Sequence, residues 1–137
     1  MIRINDVHVT FNPGTPLETR ALRGVDLDVP KGQFLTIIGS NGAGKSTSLN
    51  VIAGLVRVAS GRVEVDGQDV TEMPVYKRST MLSRVFQDPK MGTCEDLSIL
   101  ENFALAYGRT HPRKLRFAIT PDIRETTAER LKVLGLG

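Results

Sequence analysis

GSNGAGKST, residues 39–47, is the stretch that decides the fold. It places Lys45, Ser46 and Thr47 directly after three closely spaced glycines and matches the pattern G-x-x-x-x-G-K-[S/T]. Such glycines let the backbone curl with its N–H groups pointing inward, and a following helix adds free N–H groups and the positive end of its dipole. An apolar run precedes the stretch and a helical pattern follows it. We therefore predict a phosphate-binding loop, called the phosphate loop below, rather than a glycine-rich turn without a ligand.

The side chains of the phosphate loop suit a nucleotide and a magnesium ion. Lys45 can reach the β- and γ-phosphates as a point charge, and the Ser46 hydroxyl can complete a Mg²⁺ shell. Thr47 would sit in the first helical turn, with its hydroxyl toward the α-phosphate. We predict that the whole loop binds the nucleotide, through Gly39, Ser40, Asn41, Gly42, Ala43, Gly44, Lys45, Ser46 and Thr47.

The chain opens rich in strands and closes rich in helices. Apolar runs predict strands at residues 2–11, 25–29, 34–38, 61–65 and 82–86. Helical spacing predicts helices at residues 46–56, 97–107 and 121–134. The nearly uninterrupted run at 34–38 is typical of a strand buried on both faces. A break near Asn5-Asp6 interrupts the first strand, a tight turn follows at Asp66-Gly67, and Thr120 and Gly135 cap and end the last helix.

Composition excludes several classes of protein. The 137 residues carry a net charge of +3, with 5% aromatic residues and no Trp, so the pattern of a single-strand nucleic-acid binder is missing. His8 and His111 are far apart and have no Cys neighbours, which makes a zinc site an unfavoured reading. The single Cys94 excludes an internal disulfide and fits a reducing compartment. With no signal peptide and no run of ~18 apolar residues, we expect a cytoplasmic or peripheral protein.

Longer stretches around the phosphate loop resemble one family. The chain resembles the N-terminal half of an ATP-binding cassette (ABC) ATPase domain at residues 21–70 (ALRGVDLDVPKGQFLTIIGSNGAGKSTSLNVIAGLVRVASGRVEVDGQDV), 85–89 (VFQDP) and 97–106 (LSILENFALA). The resemblance implies an α/β fold, with a P-loop NTPase core, an N-terminal antiparallel β-subdomain and the start of a helical subdomain. It assigns residues 1–93 to the ATP-binding core and residues 94–137 to the helical subdomain.

The resemblance also implies roles for two residues outside the phosphate loop. Gln87 would offer its side-chain carbonyl to Mg²⁺, help to place the attacking water and act as the hinge of the helical subdomain. Phe11 stands where such domains place an aromatic ring that stacks on adenine, with an ordinary strand-end core residue as the alternative. ATP and Mg²⁺ are thus the expected ligands. Lys45 and Gln87 would be catalytic, and Ser46 and Gln87 would bind the metal.

A basic cluster lies between the last two predicted helices. It consists of Arg109, His111, Arg113, Lys114 and Arg116. A solvated loop is the simpler interpretation, and contact with a membrane partner or anionic lipid headgroups is the sharper one.

Parts that ABC ATPases need for hydrolysis are not found in these residues. There is no LSGGQ-like signature, no apolar run ends in Asp-Glu, and both histidines lie upstream of the expected switch histidine. We expect a truncated piece of a normal ATPase that is inactive alone. A natural half-domain that only binds nucleotide is the alternative, although it would expose the apolar edge of its central sheet.

The resemblance implies the ATPase subunit of a membrane transporter, which couples ATP binding and hydrolysis to solute transport. Its expected partners are membrane permease subunits, a second nucleotide-binding domain and a solute-binding protein, and its expected place is the cytoplasmic face of the plasma membrane. A soluble ABC ATPase without a transporter is the alternative. A P-loop kinase or GTPase would need an acceptor-binding lid or an Asn-Lys-x-Asp motif, and neither is present. No nucleic-acid partner is expected.

Overall fold

The computed structural model describes residues 1–109 and 118–135, and the chain divides into two compact units, Met1–Leu82 and Ser83–Gly137. The strands are β1 (Ile2–Phe11), β2 (Thr19–Val29), β3 (Ser60–Val65) and β4 (Gln68–Asp69). The helices are α1 (Lys45–Ala53), α2 (Val75–Arg78), α3 (Ile99–Gly108) and α4 (Pro121–Val133), with a 3₁₀ turn at Pro89–Gly92. Among the described residues, no helix is both long enough and apolar enough to cross a membrane.

An antiparallel sheet with the order β2-β1-β3-β4 forms the body of the first unit. The pairing of β1 with β2 shifts register between Ile4 and Val7, and Asp6 has a positive φ of 46° at this point. The predicted break in the first strand is therefore confirmed. The tight turn at Asp66 and Gly67 is also confirmed, since it joins β3 to β4 with φ values of 48° and 79°.

Aliphatic side chains from the sheet and from α1 form the core of the first unit. They are Ile4, Val7, Val9, Leu22, Val51, Val63, Val65 and Val70. Burying a side chain of this size stabilises a fold by about 1.5–3 kcal/mol. Val51 is the contribution of α1 and is 1% exposed. Helix α1, which follows the phosphate loop, therefore packs against the sheet through Val51.

A row of alternating charges crosses all four strands. Arg3 on β1 lies opposite Asp28 on β2 and Glu64 on β3, at 3.2 Å and 4.0 Å between the charged atoms. Arg62 on β3 contacts Glu64 on the same strand and Asp69 on β4, at 3.0 Å in each case. Pairs as exposed as these contribute ~0–1 kcal/mol each, so the row adds little to stability.

Two predicted strands are wrong. Residues 34–38 are irregular, with Phe34 91% and Ile38 88% exposed, and residues 82–86 are irregular too, with Val85 96% exposed. The physical reason is that a strand persists only where a neighbour accepts its backbone hydrogen bonds. Within residues 1–109 and 118–135, the sheet pairs β1, β2, β3 and β4 only, and no strand lies beside either run.

The second unit contains α3 and α4, which contact each other. Ser98 begins α3 with a capping box, because its hydroxyl accepts from the Glu101 N–H while the Glu101 carboxylate accepts from the Ser98 N–H at 2.8 Å. The predicted cap of α4 by Thr120 is confirmed, since its hydroxyl accepts from the Ile123 N–H. The predicted end at Gly135 is confirmed as well, with a φ of 72°. Helix α4 thus begins where the sequence predicts, whereas α3 begins at Ile99, two residues after the predicted start at Leu97.

The basic cluster lies mostly outside the described residues. Arg109 directly follows α3 and is exposed. His111, Arg113, Lys114 and Arg116 fall in the range 110–117, which the structure does not describe. The choice between a solvated loop and a partner contact therefore stays a prediction.

Candidate phosphate-binding site

The phosphate loop bends through two glycines and leads directly into α1. The Ala43 N–H donates to the Ser40 carbonyl at 3.2 Å, which closes a turn around Asn41 and Gly42. Gly42 and Gly44 both adopt a φ of 83°, in the left-handed region that favours glycine. Helix α1 begins at the next residue, Lys45, one residue before the predicted start at Ser46. It ends at Ala53 rather than Val56, because Gly54 adopts a left-handed conformation and caps it.

Gly44 is required by its surroundings as well as by its backbone angle. A Cβ atom at this position would lie 2.7 Å from Leu22 Cδ2 and 3.0 Å from the Ala21 carbonyl oxygen. Both neighbours belong to β2, and the Leu22 side chain is only 4% exposed. The phosphate loop therefore approaches the sheet more closely at Gly44 than a larger residue would allow.

The N-terminus of α1 is left open for an external acceptor. Its N-cap is Gly44, no side chain of residues 1–109 or 118–135 caps it, and no acidic residue occupies its first turn. The first N–H groups of any helix have no acceptor inside the helix, and the aligned peptide dipoles place about +0.5 of a charge there. Most helices satisfy these groups with a Ser, Thr, Asp or Asn side chain. Here the uncapped groups and the dipole favour an anion.

Lys45 folds back over the phosphate loop. Its ammonium Nζ donates to the carbonyl oxygens of Gly39 and Ser40, each at 2.7 Å. An ammonium has three donors, so these two bonds leave one free. The structure thus brings the lysine together with the first two residues of the loop and holds its positive charge beside the open helix start.

The hydroxyl side chains of α1 differ in their surroundings. Ser46 is exposed, and Thr47 is half-buried. Ser48 is buried, and both its N–H and its hydroxyl donate to the Gly44 carbonyl, at 2.8 Å and 3.0 Å. Ser48 therefore holds the start of α1 through two hydrogen bonds to Gly44. The sequence analysis did not identify it, and its only signal is a hydroxyl four residues after the last loop glycine.

Phe11 lies at the end of β1, paired with Thr19 on β2, and is 39% exposed. Asn12 follows it with a positive φ of 49° and turns the chain away from the strand. A groove of about 770 Å³ runs nearby, and it is lined by His8, Thr10, Pro13, Glu18, Arg20, Leu22, Arg23 and Ala59. Phe11 is not among these lining residues. Leu22 joins the groove to the phosphate loop, because it also lies against Gly44.

Gln87 belongs to the second unit, whereas the phosphate loop belongs to the first. It is exposed in the irregular segment between Phe86 and Asp88. The guanidinium of Arg84 lies 4.7 Å from the centre of the Phe86 ring, and the Asp88 carboxylate accepts from the Lys90 N–H at 3.0 Å. Residues on both sides of Gln87 are therefore held, and Gln87 itself is exposed.

Known proteins resemble this chain in sequence and in structure. The family model described as ABC transporter matches residues 22–136. A tyrosine transport ATP-binding protein from Clostridioides difficile (strain R20291) is 41% identical over 111 residues, which are 80% of this chain and 43% of that protein. The dimeric structure of MJ0796, a bacterial ABC transporter cassette, has a TM-score of 0.80 and 28% identity, and the match covers 100% of this chain and 58% of that one.

A second cassette, MJ1267 in its ADP conformation, has a TM-score of 0.76 and 27% identity, with 99% of this chain and 54% of that one covered. This chain therefore spans about half the length of the relatives that it matches. The likeness confirms the predicted fold class, an ABC-type P-loop NTPase core with an antiparallel β-subdomain. Sequence and structure agree that the chain belongs to the ABC transporter family and forms part of its ATP-binding cassette.

Proposed function

We propose that this chain is part of the ATP-hydrolysing subunit of an ABC transporter, which couples ATP binding and hydrolysis to solute transport through membrane partners. One observation carries the proposal: the open N-terminus of α1, with the Lys45 ammonium beside it. Uncapped helix N–H groups, a helix dipole and a lysine form a site for a chain of phosphates. The family match supports the same conclusion.

The residues present fit ATP and Mg²⁺. Lys45 would exchange its two carbonyl partners for phosphate oxygens, because both bonds are made within the loop itself and both Gly39 and Ser40 are exposed residues. The backbone from Gly39 to Thr47 would hold the remaining phosphate oxygens. Ser46 has an exposed hydroxyl at the helix start, and an oxygen donor of this kind suits Mg²⁺. When bound, Mg²⁺ would neutralise charge on the phosphates.

Gln87 and Phe11 complete the proposed site. Gln87 would contribute an amide oxygen to Mg²⁺ and orient the attacking water, and Phe11 would stack on adenine with the exposed part of its ring. We propose that residues 1–93 act together as the ATP-binding core and that residues 94–137 begin the helical subdomain. This proposed division lies later in the chain than the division between the compact units, which falls after Leu82.

The proposed partners follow from the relatives. MJ0796 forms a dimer, and the Clostridioides relative is named for tyrosine transport. We propose that the present cassette pairs with a second nucleotide-binding domain and with membrane permease subunits, on the cytoplasmic face of the membrane. A solute-binding protein would deliver the solute.

The test is nucleotide binding to the full-length protein that carries this sequence. Lys45→Ala should weaken MgATP binding by about 100-fold, or on the order of 2.7 kcal/mol, because a charge-assisted contact to phosphate is lost. Lys31→Ala is the matched control, since Lys31 is an exposed lysine in the turn before residues 34–38. Calorimetry with MgATP gives both affinities.

Equal affinities of the wild type and Lys45→Ala would overturn the assignment of the phosphate loop. MgATP binding without hydrolysis by the full-length protein would leave nucleotide binding alone as its function. Hydrolysis that permease subunits do not change would favour a soluble ABC ATPase.

A further inference from the structure

Arg78, the last residue of α2, is a buried arginine whose hydrogen bonds within the described part of the chain all go to backbone carbonyls. Its side chain is 4% exposed. Nε donates to the Met73 carbonyl at 2.9 Å and Nη2 to the Thr71 carbonyl at 2.8 Å. Nη1 donates to the carbonyls of Val51 and Ile52, at 2.7 Å and 3.1 Å. One guanidinium therefore joins the end of α1 to the turn at residues 71–73.

The charge of Arg78 is balanced by a helix end rather than by an ion pair. Among the described residues, no carboxylate lies within ion-pair distance of its guanidinium. Burial lowers the pKa of Arg78, and the negative charges of Glu72 and Asp69 oppose this shift. Val51 and Ile52 lie in the last turn of α1, where the aligned peptide dipoles place partial negative charge on the carbonyls. The cation thus stabilises the C-terminal end of this helix.

Gly54 fits against the same guanidinium. It caps α1 in a left-handed conformation, with its N–H donating to the Val51 carbonyl at 3.0 Å. A Cβ atom at Gly54 would lie 2.9 Å from Arg78 Nε and 3.0 Å from Arg78 Cζ. A larger residue at position 54 would therefore displace the guanidinium from the carbonyls that it holds.

These contacts lie at the opposite end of α1 from the phosphate loop. The helix has nine residues, Lys45–Ala53, and is therefore about 13 Å long. Only Ser48 and Val51 are buried along it. Ser48 fixes its start and Val51 packs into the core, so Arg78 supplies the fixed point at its far end. A short helix held at both ends can tilt only if one of these attachments is released.

We infer that Arg78 is a positioning residue for nucleotide binding, which holds the far end of α1 and so sets the direction in which its N-terminus presents Lys45 and Ser46. This inference rests on the function proposed above. Arg78 does not contact the phosphate loop, and it acts through the helix.

The test compares MgADP binding by calorimetry in the full-length protein and its Arg78→Met, Arg78→Lys and Lys77→Met variants. Lys77→Met is the matched control, because it removes an exposed cation from the same short helix. We expect Arg78→Met to raise the Kd about tenfold and Lys77→Met to leave it unchanged within about twofold. Arg78→Lys should fall between them, because an ammonium cannot span four carbonyls as a guanidinium does.

The stoichiometry of binding separates positioning from a merely structural role. A residue needed only for folding would lower the number of binding-competent molecules and leave the Kd of those molecules unchanged. Gly54→Ala provides a second perturbation, because it keeps the charge of Arg78 and displaces its guanidinium. Gly54→Ala should also raise the Kd for MgADP. If Arg78→Met does not fold, Gly54→Ala and Arg78→Lys together test the inference.

An unchanged Kd in folded Arg78 and Gly54 variants would overturn the inference while leaving the proposed function intact. Failure of the wild type to bind MgADP, or equal binding by Lys45→Ala, would overturn the proposed function and the inference with it.

Discussion

Gly44→Ala perturbs the point where the phosphate loop meets the sheet, and its cost can be worked out from two terms. The first is the backbone: a φ of 83° in a residue with a Cβ costs about 1–2 kcal/mol. The second is crowding, because the new Cβ would lie 2.7 Å from Leu22 Cδ2 and 3.0 Å from the Ala21 carbonyl. Overpacking of this kind costs about 1–3 kcal/mol. We expect a total loss of about 2–5 kcal/mol.

Gly42→Ala is the matched control within the same loop. Gly42 has the same φ of 83°, but none of the residues that the structure describes has an atom within 4 Å of a Cβ placed there. The control therefore carries the backbone term alone, about 1–2 kcal/mol. The difference between the two variants isolates the crowding against β2, and we expect it to be about 1–3 kcal/mol.

The assay is urea unfolding of the full-length protein and of both variants, followed by fluorescence or circular dichroism. The free energy of unfolding is obtained from each curve by linear extrapolation. Equal losses in the two variants would refute the close approach of Gly44 to Leu22. A larger loss in Gly42→Ala than in Gly44→Ala would refute it as well.

Two further predictions concern the second unit. Gln87→Ala should slow ATP hydrolysis by about 100-fold and leave the MgATP Kd nearly unchanged. Gln33→Ala is the control, because Gln33 is also an exposed glutamine. Equal losses of hydrolysis rate and of MgATP affinity in Gln87→Ala would contradict the proposed role. Ser98→Ala should destabilise α3 by about 1 kcal/mol, whereas Ser98→Thr should keep the cap. Hydrogen bonds from the Ser98 hydroxyl and N–H lower the pKa of Glu101. The Glu101 carboxylate therefore contributes its full stabilisation at a pH above the ordinary pKa of a glutamate. That stabilisation is lost as the pH falls through the lowered pKa of Glu101 in the folded protein, and unfolding curves at several pH values would show the loss.

The phosphate loop could be predicted from sequence because its signal is local. The left-handed glycines, the helix that begins at Lys45 and the absence of a capping side chain all follow from residues within one short segment. The same holds for the predicted cap at Thr120, and the cap at Ser98 has an equally local signal that the sequence analysis did not use. Each depends on a side chain and on backbone groups three residues away, so chain order alone brings them together.

The irregular conformation of residues 34–38 and 82–86 could not be predicted in the same way. An apolar run indicates that residues would be buried if something covered them, and the sequence pattern cannot say whether a neighbour is present. Arg78 was not identified from the sequence, for a different reason. Its partners are backbone carbonyls, which every residue has, so no pattern of side chains points to them.

The alternating charges across the sheet have a consequence for self-association. Asp28 lies on β2 and Asp69 on β4, and these two strands are the outer ones of the sheet that the described residues form. Two such sheets that met edge to edge would bring carboxylates toward carboxylates, with the arginines that neutralise them lying one strand further in. Charged side chains on outer strands discourage pairing between molecules. A row of ion pairs that does little for stability therefore helps to keep one copy of the sheet from joining another.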